Sequence, residues 1–225
     1  MKRVVIALAL LIVCVSVADA GPVRISQLYS GGGSGTPPVT YKEDYLELFN
    51  NSSSAVDISG WLLCYASSTG NFGTSLSFTI PDNTVIQPCS YLLIGCGTVG
   101  TAGADFPVAA DLVMASGPNM SATSGKIALV SVGPVGTTTC PAGTVEDFVG
   151  YGTANCAEGT AAGALSKTTG AVRLNGGITD TDDNSADFTI VTDPVPHNSQ
   201  SGTNPDCMVT PTQRSTWGTL KALYN

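Results

Sequence analysis

Large apolar side chains occur in this chain as short runs between turn residues, and several of the runs alternate with polar ones. SLSFTI (75–80) puts Leu76, Phe78 and Ile80 on one face, and VRISQLY (23–29) alternates Val23, Ile25 and, less cleanly, Leu28. A period of two is that of a strand with one buried face. Further runs are DYLELFN (44–50), AVDIS (55–59), GWLLCYAS (60–67), SYLLIGCG (90–97), GKIALVSV (125–132), TVEDFVGYG (144–152) and GAVRLNG (170–176). No long stretch shows helical periodicity. About eight or nine short strands separated by turns predict an all-β sandwich or barrel.

Residues 1–20 are set apart. Lys2 and Arg3 precede the apolar run Val4–Val17, and Ala18-Asp19-Ala20 is a small-x-small cleavage signal. This is the pattern of a signal peptide, with the mature chain starting at Gly21. The run is short for a membrane span. Bulky Val13 before Cys14 argues against lipid attachment there. A secreted protein is expected, whether extracellular, surface-bound or periplasmic, with no membrane span in its mature form. The formal charge of the whole chain is −8, and loss of Lys2, Arg3 and Asp19 makes it more negative. An acidic chain is a poor electrostatic partner for nucleic acid or anionic lipid.

Glu47 lies in the middle of DYLELFN. On a strand it shares a face with Tyr45 and Phe49, while Leu46, Leu48 and Asn50 face the other way. A carboxylate between aromatics is expected at a sheet rim or hydrogen-bonded to backbone N–H groups or an arginine. That makes its role structural.

TDTDDNSADF (179–188) places Asp180, Asp182, Asn184 and Asp187 in a D-x-D-x-N-x-x-D spacing. Such a loop can wrap Ca²⁺ in oxygens. It lacks the glycine and terminal glutamate of an EF-hand. The other reading is an Asx-rich turn bound to its own backbone. No other cofactor is expected. Catalysis finds little support. His197 is the only histidine, and in PVPHNS it reads as a solvated side chain at the mouth of a linker. G-x-S-x-G and H-E-x-x-H are absent from the sequence. Glu146 and Asp147 are adjacent, so a strand would point them to opposite faces.

The stretch DYLELFNNSSSAVDISGWLLCYAS resembles the lamin tail domain in its bacterial secreted form. The residues that carry the resemblance are Asp44, Tyr45, Glu47, Leu48, Asn50, Val56, Asp57, Ile58, Ser59, Gly60 and Trp61. MSATSGKIALV (120–130), CPAGTVEDFVGYGTANCAEG (140–159) and TDTDDNSADF extend it over about residues 23–198. The resemblance implies an immunoglobulin-like β-sandwich at residues 21–197 and a non-catalytic module for protein binding or for surface or structural attachment. The alternative is an accessory binding module for a separately encoded extracellular nuclease or other hydrolase. On this reading Trp61 fills the space between sheets, Gly60 makes the turn before it, and Asp57 and Ser59 bond local backbone.

Six cysteines follow the leader, an even count that suggests disulfides in an exported chain. Fifteen pairings are open to six cysteines. Cys140 and Cys156 bracket a strand and loop in the segment that best matches the family and are expected to pair. Cys64 with Cys96 is the next expectation, with buried free thiols as its alternative. Cys89 and Cys207 would then tie the C-terminal segment to the domain. Residues 198–213 read as a linker. The tail 214–225 carries Trp217, Leu220 and Leu223 at helical spacing, a candidate docking or sorting segment.

Overall fold

The computed structural model describes residues 21–73 and 77–207. The expected leader 1–20, the expected tail 214–225, part of the 198–213 segment and Leu76 lie outside that range. Twelve strands build the described fold: β1 (Val23–Tyr29), β2 (Asp44–Asn50), β3 (Val56–Asp57), β4 (Leu62–Ser67), β5 (Ser77–Thr79), β6 (Val85–Ile86), β7 (Tyr91–Cys96), β8 (Leu112–Met114), β9 (Gly125–Val132), β10 (Thr144–Tyr151), β11 (Thr169–Arg173) and β12 (Phe188–Thr192). The strands beyond the expected eight or nine are short or, like β12, sit where the sequence shows acids and turns. A 3₁₀ segment spans Leu174–Gly177, and the one-turn helix α1 spans Asn184–Asp187.

One sheet has the order β12-β11-β1-β2-β7-β8, and the other β10-β9-β4-β5. All pairings are antiparallel except β7 with β8. The sheets enclose a core that includes Ile25, Leu28, Leu46, Leu48, Leu63, Ile127, Leu129 and Val149. The expected sandwich is therefore what forms.

The uneven alternation of β1 has a physical cause. Pairing with β2 runs Ile25↔Leu48 and then Gln27↔Glu47, so Ser26 is a bulge. The extra residue restores Leu28 to the core face after Ile25. A matching irregularity in β10, between Val145 and Asp147, turns Asp147 inward opposite Leu129.

β2 is buried along its whole length. Its inner face meets the opposite sheet. Its outer face, with Tyr45 and Phe49, lies under two covers. Phe106, Val108 and Ala110 pack over Tyr29, Tyr41, Tyr45 and Leu93. The C-terminal strap, residues 193–207, covers the rest.

Trp61 departs from the expected place. It shares the inward parity of Leu63 and Tyr65, but β4 begins only at Leu62. The indole therefore packs on the core from the end of the sandwich and is only partly buried. Gly60 beside it has φ +77°, a conformation that favours glycine, and Asp57 accepts from Ser59 N and Oγ in the same corner.

Candidate functional site

The polar chemistry of the molecule gathers in two places, on opposite faces of the six-stranded sheet. On the outer face stands Glu47, 1 % exposed. One carboxylate oxygen accepts from Ser26 Oγ at 2.6 Å. The other accepts from His197 N at 2.5 Å and faces His197 Nδ1 at 3.1 Å. The His197 ring stacks on Tyr91, with centroids 4.7 Å apart and planes 25° from parallel. Its hydrogen bond to Glu47 raises the histidine above its ordinary pKa, against the opposing effect of burial.

His197 is thus not the free side chain expected at a linker. Its side chain is 43 % exposed, yet its backbone and one ring nitrogen are fixed. Nor does the chain leave the fold at 197. Val195 O accepts from Gln27 Nε2, and Pro194 O accepts from Tyr41 Oη. Asp111 receives Ser199 N and Oγ, and Asn204 donates to Asn175 O and Gly176 O. The Cys89–Cys207 disulfide closes the far end. Composition made this segment read as a linker; its backbone groups are in fact satisfied by side chains and loops rather than by a strand ladder.

Between strap and sheet lies an open groove of about 450 Å³, lined among others by Tyr91, Asn175, His197, Thr203, Asn204 and Asp206. Gly176 forms part of its floor at φ +64°, where a Cβ would meet Asn204 Nδ2 at 2.6 Å and Tyr91 Oη at 3.0 Å. Only glycine fits there. Sequence reasoning missed this groove, because its two sides lie far apart in the chain.

The second cluster is on the inner side of the sandwich, where β11 approaches β10. Arg173 is fully buried and donates from Nη2 to both oxygens of Asp147, at 2.8 and 2.7 Å. Its Nε donates to Ile25 O, and its guanidinium carbon lies 4.5 Å from the centre of the Phe188 ring. Asp180 stands 3.3 Å from Arg173 Nη1 and 3.1 Å from Arg24 Nε. Asp187 is 3.5 Å from Arg173 Nη1 and also accepts from Thr181 N and Oγ1. Glu158 sits at the margin, its carboxyl pushed up to about 8 first by burial and then by Asp147.

In this structure three of the four residues of the calcium expectation are engaged otherwise. Of the four residues, Asp180 and Asp187 are directed to arginines. Asn184 is consumed by Gly150 N, Phe148 O and Glu158, and Asp182 is exposed at φ +57°. Among the described residues no group of three or more acidic, histidine or cysteine side chains is placed to hold a metal. Arg173, shortly before this loop in the chain, and Arg24, on β1, supply the positive charge that the spacing alone left open. Glu146 and Asp147 do diverge, with Asp147 turned inward to Arg173.

Two disulfides are present, Cys89–Cys207 and Cys140–Cys156. The expected Cys64–Cys96 bridge is not. Both are buried free thiols. Cys96 belongs to the core between the sheets, whereas Cys64 points to the far face of the four-stranded sheet, among Ala66, Phe72, Ala128 and Phe148. Equal apolarity of the two strands did not mean a shared face. No helix among the described residues is long and apolar enough to cross a membrane.

Comparison with known proteins bears on both fold and family. A DUF4876 family protein from Bacteroides thetaiotaomicron VPI-5482 shares the fold, with a TM-score of 0.56 over 82 % of this chain and 74 % of that one, at 13 % identity. No curated protein matches the chain. The family model described as Lamin Tail Domain matches residues 16–153, a span that takes in β1 through β10 and the immunoglobulin-like sandwich they form. The chain belongs to the lamin tail domain family.

Proposed function

We propose that this protein is a non-catalytic extracellular domain that acts in protein binding or in attachment at a cell surface. One observation carries the reading: the polar groups that chemistry would need are used to hold the fold. The single histidine is tied to Glu47 and stacked on Tyr91. The buried acids are bound to arginines and backbone amides. A general base must instead be free to reach a substrate proton. Family membership supports a binding role. The two disulfides suit an oxidising compartment, and the preceding leader supplies a route to it. The tail 214–225 is the proposed attachment segment.

Fractionation of the producing cells tests this. The full chain should be exported, oxidised at both disulfides and retained with the envelope. Removing residues 212–225 should release it to the medium with unchanged melting. Turnover by the pure protein in a screen of ester, phosphodiester and glycoside substrates would overturn the reading, as would a reduced, cytosolic protein. Stoichiometric capture with a hydrolase from the medium would favour the accessory-module form of binding.

A further inference from the structure

The groove under the strap has features beyond those needed to close the fold. Its rims are fixed in advance. Asn204 N donates to Cys89 O, and Asn204 Nδ2 bridges to Asn175 O and Gly176 O. Cys207 is bonded to Cys89 just beyond. A preformed rim lowers the ordering cost of binding. At about 450 Å³ the groove falls within the usual size of a small-molecule site, about 300–1,000 Å³.

The groups it presents are selective. Nδ1 of His197 is held by Glu47, which leaves the rest of the half-exposed ring toward the groove, and Nε2 makes no hydrogen bond among the described residues. Thr203 and Asp206 are exposed, and their side chains have no partner among the described residues. Asn175 uses its amide nitrogen on Thr179 and keeps its oxygen free. The result is a flat ring beside a short carboxylate, a hydroxyl and an amide oxygen. Such a set pairs with vicinal hydroxyl groups, while the ring accepts a C–H face.

Charge narrows the class. The chain is strongly acidic, Glu47 lies directly under His197, and Asp206 stands on the rim. Phosphate, sulfate and uronate groups are therefore disfavoured. The exposed rim side chains are short and polar, which suits a polyol better than an apolar ligand. We propose that the groove between the strap and the six-stranded sheet binds a neutral saccharide of one or two rings. This rests on the binding-domain reading and names the ligand class for it. Apart from Tyr91, these groups lie outside residues 16–153, the span that the family model matches.

The test is an NMR titration of the oxidised mature protein, following the His197 imidazole signals. The probes are glucose, galactose, mannose, N-acetylglucosamine, maltose and cellobiose, with glucuronate and glucose 6-phosphate as charged controls. At least one neutral sugar should give a saturable shift with Kd of about 1–10 mM, a range suited to a shallow open site. Asp206→Asn and Thr203→Val should each weaken it at least threefold with unchanged melting, since neither side chain holds the fold. His197→Ala should abolish it, read from the neighbouring Tyr91 signals.

A flat response to all neutral sugars overturns the proposal. So does equal affinity for the charged controls, or binding untouched by both rim variants. If sugars fail while the full chain is still retained on cells, the groove assignment falls and the attachment reading stands. If retention fails as well, both fall.

Discussion

Arg173→Met is the substitution that most directly tests how the two sheets are held together. Methionine matches the aliphatic part of the side chain and can still pack on Phe188. It removes the charge that faces Asp147, Asp180 and Asp187, all of them nearly inaccessible. Burial pushes the Asp147 carboxyl upward, and the Arg173 guanidinium pulls it back. The donors from Ile25, Phe148 and Arg173 aimed at its two oxygens are those of the ionised form. Removing one partner of a buried pair costs about 3–5 kcal/mol, because the other charge is left uncompensated. Stability of a domain is about 5–15 kcal/mol in total, so the variant should be on the margin of unfolding. With a urea slope of about 2–3 kcal/mol/M, the midpoint should fall by about 1–2.5 M. The orphaned carboxyls take up protons in the folded state, which raises their folded pKa above the unfolded value. Stability of the variant should therefore rise on acidification from pH 7 to pH 5 relative to the parent protein. Adding Asp147→Asn should recover part of the loss. A drop below about 1 kcal/mol, typical of an exposed pair, or a double variant whose loss is the simple sum of the singles, would refute the reasoning.

Other perturbations follow from the same contacts. Asp44 accepts from Gly32 N and Met120 N, yet burial pushes its carboxyl up to about 7. A raised folded pKa means stability falls as pH rises from about 4 to about 7, by at most about 4 kcal/mol; Asp44→Asn should remove that slope in urea titrations across the range. The His197–Glu47 contact has the same sign for a different reason. The raised imidazole pKa adds stability that is full below about pH 6.5 and is lost as pH passes the folded value. Since the ring is half exposed, the difference between parent and Glu47→Gln should be only about 0.5–1 kcal/mol larger at pH 5.5 than at pH 8.5. Reduction should cost more through Cys89–Cys207, with a separation of 118 residues, than through Cys140–Cys156, with 16; loop closure puts the two near 5 and 3 kcal/mol, about the upper limit for unstrained bridges, and single-bridge serine variants compared by melting would show the order.

The sandwich was legible because a two-residue period needs only local information. Leu46 and Leu48 face the core, and Tyr45, Glu47 and Phe49 face away from it, as the alternation of DYLELFN requires. What covers that second face is not local. Glu47 is buried by residues 150 positions further on, in a segment whose proline and serine content imitates a linker. The acids of TDTDDNSADF were visible, but their partners Arg24 and Arg173 lie on β1 and β11. Acid spacing reads the same whether the positive charge is a metal or a guanidinium. Cys64 and Cys96 failed for a related reason: parity within a strand is readable, but which parity faces the partner sheet depends on the whole topology.

Ser26 is the point at which both polar clusters meet, and it yields the strongest test of register. The bulge frees Ile25 N from the ladder to donate to Asp147, and Ile25 O accepts from Arg173 Nε. On the opposite face Ser26 Oγ donates to Glu47. One inserted residue thus serves the inner ion pair through its neighbour's backbone and the outer carboxylate through its own hydroxyl. Ser26→Ala removes only the hydroxyl. Glu47 keeps its two contacts to His197, so the cost should be about 1–2 kcal/mol. Deleting Ser26 is a different perturbation. It would slip Val23, Arg24 and Ile25 by one position, turning the two apolar side chains out of the core and the arginine into it. It would also withdraw both Ile25 backbone contacts from the Asp147–Arg173 pair. Loss of two core side chains alone costs several kcal/mol, about 2–5 each for a truncation to alanine, so the deletion should leave no cooperative folded state at 25 °C. A deletion variant that still melts cooperatively within a few degrees of Ser26→Ala would show that the bulge is incidental and that the two clusters are held in place by other parts of the fold.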